Sequence, residues 1–221
     1  TGFTRDGVQT STGRIRGKHV LVCAGLQSDR LARLDGVDAG LRIVPFRGDY
    51  YELSPRAKAK VRHLIYPVPD PNFPFLGVHF TRMHDGSVEC GPNAVFAFKR
   101  EGYTKTSFNW SDTADALSFL GTWKLFQKHW RYGLGEYHRA FSRAAFLKAL
   151  QALMPDLEDR DLVPGRSGVR AQALQPDGSL VDDFVLVRGA SGIHVINAPS
   201  PAATASLSIA DRIVERLEEM G

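Results

Sequence analysis

The sequence predicts a mixed α/β (α+β) fold with two regions, and two observations lead to that prediction. Short apolar runs at 18–25 and 192–198 have the length of strands, and each is followed by residues with helical spacing, which is typical of a strand–turn–helix unit. Two hairpin patterns, at 75–93 and 169–187, indicate an antiparallel sheet distinct from that unit. We therefore expect an α/β region and a separate antiparallel-rich region with helices.

The first half of the chain is expected to be mainly extended. After a polar lead-in, the run at 18–25 ends in a glycine, and the leucines that follow it have helical spacing. Residues 41–53 are β-branched and aromatic and predict a strand, while 63–69 lead into a proline-rich loop that cannot be helical. The first hairpin turns at Asp85-Gly86, which is a common two-residue turn pair.

The second half contains the predicted helices. Ser111 is the expected N-cap of a helix over 111–130, and a second helix over 137–154 stops before a proline. The second hairpin turns at Pro176-Asp177-Gly178. A last amphipathic helix is expected from about residue 202 to residue 220, directly after the final strand.

Composition and charge exclude several classes of protein. Of the 221 residues, 43% are apolar and 24% are charged, which is ordinary for a globular domain and excludes a disordered chain. The net charge of +4 is spread along the chain, so we expect no nucleic-acid partner. No apolar run reaches the ~20 residues of a membrane-spanning helix, and from the polar residues at its start we expect no signal peptide. The expected location is the cytoplasm.

Cysteine and histidine patterns predict no metal site. Cys23 and Cys90 are too few for a disulfide scaffold or a four-cysteine zinc site, and both lie in apolar runs where a buried, inert thiol is expected. The seven histidines form no HExxH motif and no paired cluster with cysteine. We therefore expect the chain to bind no metal ion.

Three places could carry chemistry, and each has a structural alternative. The start of the last helix has free N–H groups that can bind an anion, although an ordinary strand-to-helix connection is the interpretation that the pattern alone favours. His79 lies inside an apolar strand beside Gly77, where a hydrogen-bonded structural histidine is the alternative to a catalytic one. Arg170 follows two glycines, and its alternative role is an ion pair on an edge strand.

Several strings of the sequence resemble one known family. They are VCAGLQSDRLA, RIVPFRGDYYEL, GVHFTR, GPNAVFAFKREGY, GVRAQALQPDGSLVDDF and HVINAPSPAATASLSIA, which run from about Val20 to Ile209. They resemble the L-2-hydroxyglutarate oxidases and dehydrogenases, which belong to the D-amino-acid-oxidase-like (DAO) class of FAD-dependent oxidoreductases. The strings are long enough that chance is a poor explanation, and the resemblance is weakest over the helical stretch 110–160.

The resemblance implies that one part of the chain binds the cofactor and another part binds the substrate. It implies a partial, Rossmann-like FAD-binding domain formed by 1–40 and 164–221, and an antiparallel-rich substrate-binding domain with helices over 41–163. Backbone N–H groups at the start of the last helix would stabilise negative charge on the reduced flavin ring. The residues that the resemblance implies for FAD binding are Cys23, Ala24, Gly25, Gly168, Pro199, Ser200, Pro201, Ala202, Ala203 and Thr204.

The implied reaction is oxidation of the dicarboxylate L-2-hydroxyglutarate to 2-oxoglutarate. His79 is implied to face the flavin and to take the hydroxyl proton as general base, since an imidazole has a suitable pKa. Arg170 is implied to clamp a substrate carboxylate with its planar guanidinium, and Tyr66 and Asn93 are further expected substrate ligands. The expected cations for the second carboxylate are Arg47, Lys99 or Arg100.

The chain departs from the family pattern at one point. It carries no GxGxxG fingerprint, which in this class holds the FAD pyrophosphate, so we expect these 221 residues alone to bind FAD weakly or not at all. Two alternatives stay open: an oxidase of a small amine such as glycine or sarcosine, and a non-catalytic fragment. The expected final electron acceptor is oxygen or a respiratory quinone, and the quinone would place the protein at the surface of the inner membrane.

Overall fold

The computed structural model describes residues 2–4, 6–68, 77–198 and 202–219. The strands, in chain order, are β1 Gly2–Thr4, β2 Gly7–Thr10, β3 Gly13–Arg16, β4 Leu21–Val22, β5 Arg42–Leu53, β6 His79–Arg82, β7 Val88–Gly91, β8 Val95–Phe96, β9 Leu162–Leu174, β10 Val185–Arg188 and β11 Ile193–Asn197. The α-helices are α1 Ser28–Leu34, α2 Trp110–Leu117, α3 Leu120–Phe141, α4 Arg143–Gln151 and α5 Ser206–Glu219. Within these described ranges, no helix combines the length and the apolar character needed to cross a lipid bilayer.

The chain divides into two compact units, and the mixed α/β fold predicted from the sequence is confirmed. Unit 1 consists of 1–44, 116–122 and 171–221, and unit 2 consists of 45–115 and 123–170. The predicted division into an FAD-binding domain and a substrate-binding domain, with limits after residues 40 and 163, stays a prediction.

Unit 1 begins with an antiparallel sheet that the sequence prediction missed. Strands β1, β2 and β3 pair in that order over residues expected to be a polar lead-in. The strands are short and largely polar, so they show no apolar alternation. Gly7 allows β2 and β3 to approach closely, because its φ is +156° and a Cβ there would lie 1.9 Å from the carbonyl oxygen of Ile15.

The second sheet of unit 1 has the order β10-β11-β4, and β4 and β11 run parallel. Helix α1 packs against β11, and Ser28 Oγ donates a 2.9 Å hydrogen bond to the carbonyl oxygen of Ile196. The predicted strand at 192–198 is confirmed as β11, whereas the predicted strand at 18–25 is only the short β4. The buried apolar core between α1 and the sheet consists of Ala32, Leu41, Ile43, Ala173 and Ile196.

The second predicted hairpin is partly wrong. Its turn is present, since the Gln175 N–H donates to Ser179 and the Gly178 N–H donates to Gln175. Beyond the bridge to Leu180, however, the chain leaves β9, and β10 pairs with β11 instead. The Asn197 side chain explains the departure, because its amide donates to the carbonyl oxygens of residues 181 and 183 and holds that segment against β11.

Unit 2 is built on a sheet of order β6-β7-β5-β8, with β9 also paired to β5. The first predicted hairpin is confirmed as β6 and β7, and Asp85 stabilises its turn by accepting hydrogen bonds from the backbone and side chain of Ser87. One face of the sheet packs on α4 and forms the core. Its buried members include Phe80, Cys90, Phe146, Leu150 and Leu157.

The predicted helices have different limits in the structure. The helix expected over 111–130 is two helices, because the Thr122 hydroxyl donates to Ala116 O at 2.7 Å and the chain turns between α2 and α3. The N-cap of α2 is Asn109, whose Oδ1 accepts from the Asp112 N–H at 2.9 Å, so the prediction of Ser111 as the cap is wrong. Ser142 caps α4 in the same way through Ala145 N–H. The last helix begins at residue 206, after a turn at 202–205.

The two cysteines differ in environment. Cys90 is fully buried, and burial raises the pKa of its thiol to about 12, so the thiol is inert as predicted. Cys23 is exposed, so the prediction that it is buried is wrong. It lies directly after β4, where the strand has already ended and the chain turns out of the sheet.

Candidate active site

The alternation of side chains along the strands of unit 2 sorts them between two faces. Phe80 and Cys90 point into the core, so their neighbours in β6 and β7 point to the opposite face. His79 is one of these neighbours. In β5, Tyr51 packs on Phe146 in the core with ring centroids 4.8 Å apart, so Tyr50 lies on the opposite face. We call the face that carries His79 and Tyr50 the site face.

A hydrogen bond fixes the tautomer of His79 on the site face. Its Nδ1 lies 2.9 Å from the carbonyl oxygen of Gly77, which can only accept, so Nδ1 carries the proton and Nε2 keeps a lone pair. Burial and the positive charge of Arg170 lower the pKa of His79, although the bond to Gly77 acts in the opposite direction. The imidazole is therefore neutral at neutral pH, with Nε2 able to accept a proton.

Tyr66 fixes the plane of that imidazole. The two rings stack with centroids 4.3 Å apart and planes 18° apart. The Tyr66 hydroxyl lies 3.3 Å from Thr81 Oγ1, and Thr81 shares the site face because it is two residues beyond His79 in β6. Tyr66 is 45% exposed, so its ring covers the histidine while part of it remains accessible to a ligand.

Arg170 brings a cation to the same cluster. It lies in β9, forms a hydrogen bond to the Tyr50 side chain, and its charge acts on both Tyr50 and His79. The structure thus brings together three predicted residues, His79, Tyr66 and Arg170, with Tyr50, which sequence reasoning missed. The signal for Tyr50 was the tandem Tyr50-Tyr51 in a predicted strand, because alternation requires one of the two to face away from the core.

Asn93 has different partners from those expected. It is 2% exposed, its Oδ1 accepts from the Asp49 N–H at 2.6 Å, and its Nδ2 donates to Asp49 Oδ2 at 3.4 Å. Arg47 binds the same carboxylate through two nitrogens, at 2.8 and 3.2 Å, and Ser167 Oγ donates to it at 2.9 Å. These contacts make Asn93 and Arg47 part of a buried structural network around Asp49.

The remaining cations named for a second carboxylate differ in their surroundings. Arg100 is 1% exposed and pairs with Asp115 at 2.7 Å, so its charge is compensated inside unit 2. Lys99 is partly exposed, which leaves it the most accessible of the three named side chains. The second carboxylate contact stays a prediction.

The residues predicted for FAD binding lie mostly at one edge of unit 1. Since β4 and β11 are parallel neighbours, the chain leaves both strands at the same sheet edge, where ligands bind in open α/β sheets. Cys23, Ala24 and Gly25 follow β4, and 202–204 lie in the turn beyond β11. Gly25 has a φ of +50°, and a Cβ there would meet no atom within 4 Å, so its backbone borders open space.

This edge fits the backbone contacts that the phosphate and ribose groups of a dinucleotide require. The small residues Ala202 and Ala203 present no bulk, and Thr204 adds a hydroxyl. Gly168 lies elsewhere, in β9 within unit 2, and also borders open space. Pro199, Ser200 and Pro201 lie outside the residues that the structure describes.

A buried hydrogen-bonded pair joins the end of α1 to the sheet of unit 1. His194 in β11 is fully buried, and its Nε2 lies 2.9 Å from Asp35 Oδ2, just beyond α1. Burial acts to raise the pKa of Asp35, but hydrogen bonds from His194 and Ser191 hold it below its ordinary value. The pair ties the end of α1 to the sheet. Among the described residues, no group of three His, Cys, Asp or Glu side chains is arranged to hold a metal ion.

Comparison with known proteins places these features in a family. The sequence profile of the DAO family, described as FAD dependent oxidoreductase, matches residues 1–216. The chain is 51% identical over 216 residues to the L-2-hydroxyglutarate dehydrogenase of Indibacter alkaliphilus, a match that covers 97% of this chain and 54% of that protein. It is 53% identical over 210 residues to the mitochondrial L-2-hydroxyglutarate dehydrogenase of Nematostella vectensis, covering 93% of this chain and 46% of that protein. The chain thus spans about half the length of the curated relatives it matches.

Solved structures share the fold. The dithionite-reduced L-alpha-glycerophosphate oxidase of Mycoplasma pneumoniae, with FAD bound, superposes with a TM-score of 0.65 over 95% of this chain and 45% of its own. Its sequence identity is 17%, so the likeness concerns the fold alone. The resemblance recognised in the sequence is confirmed by the family profile and by the relatives, and FAD is the cofactor of this family. With the profile matching residues 1–216, the chain belongs to the DAO family of FAD-dependent oxidoreductases.

Proposed function

We propose that this chain works in the FAD-dependent oxidation of L-2-hydroxyglutarate to 2-oxoglutarate. The observation that carries the proposal is the cluster on the site face, where a neutral imidazole whose Nε2 keeps its lone pair lies within the electric field of the Arg170 guanidinium. Oxidising a 2-hydroxy acid needs both groups: a base for the hydroxyl proton and a cation for the carboxylate. The names of the two relatives support the choice of substrate.

In this proposal His79 is the general base. Its Nε2 accepts the hydroxyl proton of the substrate while the hydrogen on Cα leaves as hydride, and the C–O bond becomes the carbonyl of 2-oxoglutarate. FAD, when bound, supplies the acceptor for that hydride. The bond from Nδ1 to Gly77 stabilises the imidazolium that forms, and the Tyr66 ring keeps the imidazole in one orientation.

Arg170 and Tyr66 bind and orient the substrate in this proposal. The guanidinium offers two parallel N–H groups that match the two oxygens of a carboxylate. The Tyr66 hydroxyl is a second hydrogen-bonding group beside the imidazole. Burial is the main cause of the lowered pKa of His79, and the charge of Arg170 adds to it, so the cation that binds the carboxylate also helps to keep the base unprotonated before substrate arrives.

We propose that FAD is bound at the strand edge of unit 1, which is the edge where the chain leaves β4 and β11, and at Gly168. Cys23 to Gly25 and Ala202 to Thr204 would offer backbone N–H groups, and Pro199 to Pro201 belong to the same proposed segment. Gly168 would let the backbone of β9 approach a ligand without a side chain between them.

We propose a respiratory quinone at the inner-membrane surface as the final electron acceptor, with oxygen as the alternative. Helix α3 supports the membrane location, because Trp123, Trp130 and Leu134 are 54%, 56% and 61% exposed and Lys128 and Arg131 are exposed on the same helix. Aromatic and basic side chains together are typical of proteins that lie on an anionic bilayer. Sedimentation with anionic and with zwitterionic vesicles tests this, and equal absence of binding to both, with reoxidation by oxygen alone, would contradict the quinone.

The substrate is tested by anaerobic reduction of the FAD-loaded protein. L-2-Hydroxyglutarate is expected to bleach the flavin band, while D-2-hydroxyglutarate, glycine and sarcosine are expected to bleach it much more slowly. Bleaching by sarcosine or glycine, without L-2-hydroxyglutarate, would establish the amine oxidase alternative. A protein that no 2-hydroxy acid or amine reduces would be the non-catalytic alternative.

A further inference from the structure

Tyr50 is the member of the cluster to which no role has been given. It lies on the site face of β5, beside Gly91, where an added Cβ would lie 3.3 Å from Tyr50 Cδ1. Gly91 is the register partner of His79 in the neighbouring strand, so Tyr50 and His79 flank the same glycine across the sheet. A Cβ there would also lie 2.9 Å from the carbonyl oxygen of Asp49 and 3.3 Å from Phe146 Cζ, so the glycine lets the Tyr50 ring pack closely against β7 on the face that carries His79.

The Tyr50 hydroxyl accepts a hydrogen bond from the Arg170 guanidinium. Burial raises the pKa of Tyr50 although Arg170 acts to lower it, so the phenol is neutral at the pH at which the base works. A neutral acceptor can take one N–H of the guanidinium without compensating its charge. Because a guanidinium has five N–H donors, a bond to the phenol is compatible with a two-point contact to a carboxylate.

Arg47, which lies in β5 with Tyr50, shows an arrangement that contrasts with that of Arg170. Its Nε and Nη2 donate to the two oxygens of Asp49 at 2.8 and 3.2 Å, and its Nη1 donates to the carbonyl oxygen of Thr104 at 2.8 Å. The carboxylate both occupies the fork and compensates the charge, so Arg47 has a structural role. A phenol beside Arg170 orients the guanidinium without adding a negative charge next to it.

We propose that Tyr50 is a positioning residue, whose hydroxyl holds the Arg170 guanidinium in the orientation that binds the substrate carboxylate. This rests on the proposed function, because it names a residue that acts through the proposed carboxylate ligand. Tyr50 itself need not touch the substrate. Its effect is therefore expected to depend on the presence of an arginine at position 170.

A double-mutant cycle on the FAD-loaded protein tests the proposal. Tyr50→Phe keeps the ring and removes the hydroxyl, so the dissociation constant of glutarate, measured by titration calorimetry, should rise about fivefold, the size of one net hydrogen bond. The KM for L-2-hydroxyglutarate should rise by a similar factor, with a smaller change in kcat. In the Arg170→Lys protein, which lacks the fork, Tyr50→Phe should change either constant by less than about twofold. The matched control is Tyr51→Phe, one residue along on the core face, which should leave both constants unchanged.

The outcomes separate this proposal from the proposed function. If Tyr50→Phe weakens glutarate binding equally in the wild-type protein and in the Arg170→Lys protein, or has no effect in the wild-type protein, the positioning role is wrong. If L-2-hydroxyglutarate does not reduce the flavin of the wild-type protein, the proposed function is wrong, and the glutarate cycle still decides whether Tyr50 acts through Arg170. A non-additive glutarate cycle supports the positioning role in either case.

Discussion

The site face of unit 2 and the strand edge of unit 1 contribute different kinds of groups. On the site face the chemistry is carried by side chains, and His79, Tyr66, Tyr50 and Arg170 are linked by stacking, hydrogen bonding and charge. At the strand edge it is carried by backbone, where a glycine at φ +50° and small residues border open space. Substitutions in unit 2 should therefore change the reaction of the substrate, whereas substitutions in unit 1 should change retention of FAD and stability.

The largest effect is expected from His79→Ala. General-base catalysis contributes about 10²–10⁴-fold, so anaerobic flavin reduction by L-2-hydroxyglutarate should slow by that factor at neutral pH. The FAD content of the purified protein, read from its absorbance spectrum, should be unchanged, because His79 is not among the residues proposed to bind FAD. Loss of FAD along with activity would show that His79 also affects cofactor binding, which would contradict the distinction between the site face and the strand edge.

Arg170→Lys should have the next largest effect. Lysine keeps the charge but loses the planar fork, and the lost contacts are worth about 2–3 kcal/mol, or roughly 30- to 150-fold in kcat/KM, mainly through KM. Arg166→Lys, an exposed residue four positions earlier in β9, is the matched control and should leave steady-state kinetics unchanged. Unchanged kinetics in the Arg170 variant would mean that Arg170 has a structural role.

In unit 1, Asp35→Asn should lower stability without changing substrate kinetics. The aspartate accepts from buried His194 and from Ser191, and losing its charge should cost about 1–3 kcal/mol in the free energy of unfolding at pH 7. Because the pKa of Asp35 is lowered by folding, its contribution is present above the ordinary carboxyl pKa and is lost as pH falls through the folded value. Urea unfolding at pH 7 and at acid pH measures this, and an equal difference between wild type and variant at both would contradict it.

The smallest effect is expected from Gly25→Ala. A non-glycine residue at φ +50° is strained by about 1–2 kcal/mol, and the new methyl group would stand at the proposed cofactor edge. The FAD dissociation constant should rise about tenfold, while KM for substrate in the FAD-saturated protein should not change. Gly36→Ala, at φ +81° beyond the end of α1, introduces similar strain away from that edge and is the control. If both variants lose FAD equally, the effect is one of stability and not of the edge.

The elements that the sequence predicted are those with a local signal. Strand β11 and the β6–β7 hairpin were predicted because apolar runs and an Asp-Gly turn are local signals. The small sheet of β1, β2 and β3 was missed because its strands are short and largely polar and depend on a close approach at Gly7. Residues His79 and Arg170 were assigned roles only through the family resemblance.

The partners of polar residues could not be predicted from spacing. Asn93 and Asp49 are 44 positions apart, and only the fold shows that the Asn93 amide is hydrogen-bonded to Asp49. Tyr50 was missed for a related reason: which of two adjacent tyrosines faces the site is decided by the register of β5 with β7. The Asp35–His194 pair joins residues 159 positions apart. Tertiary pairing of this kind is invisible to periodicity.

The role of His79 as a neutral base on the site face is tested most directly by the pH dependence of flavin reduction. The second-order rate constant for anaerobic reduction at low L-2-hydroxyglutarate should fall on the acid side with an apparent pKa below about 6.5, the ordinary imidazole value, because burial and Arg170 lower the pKa of His79. In His79→Ala this acid limb should disappear. The same limb in the variant, or reduction of its flavin at a near-normal rate, would contradict the assignment and leave His79 a structural residue.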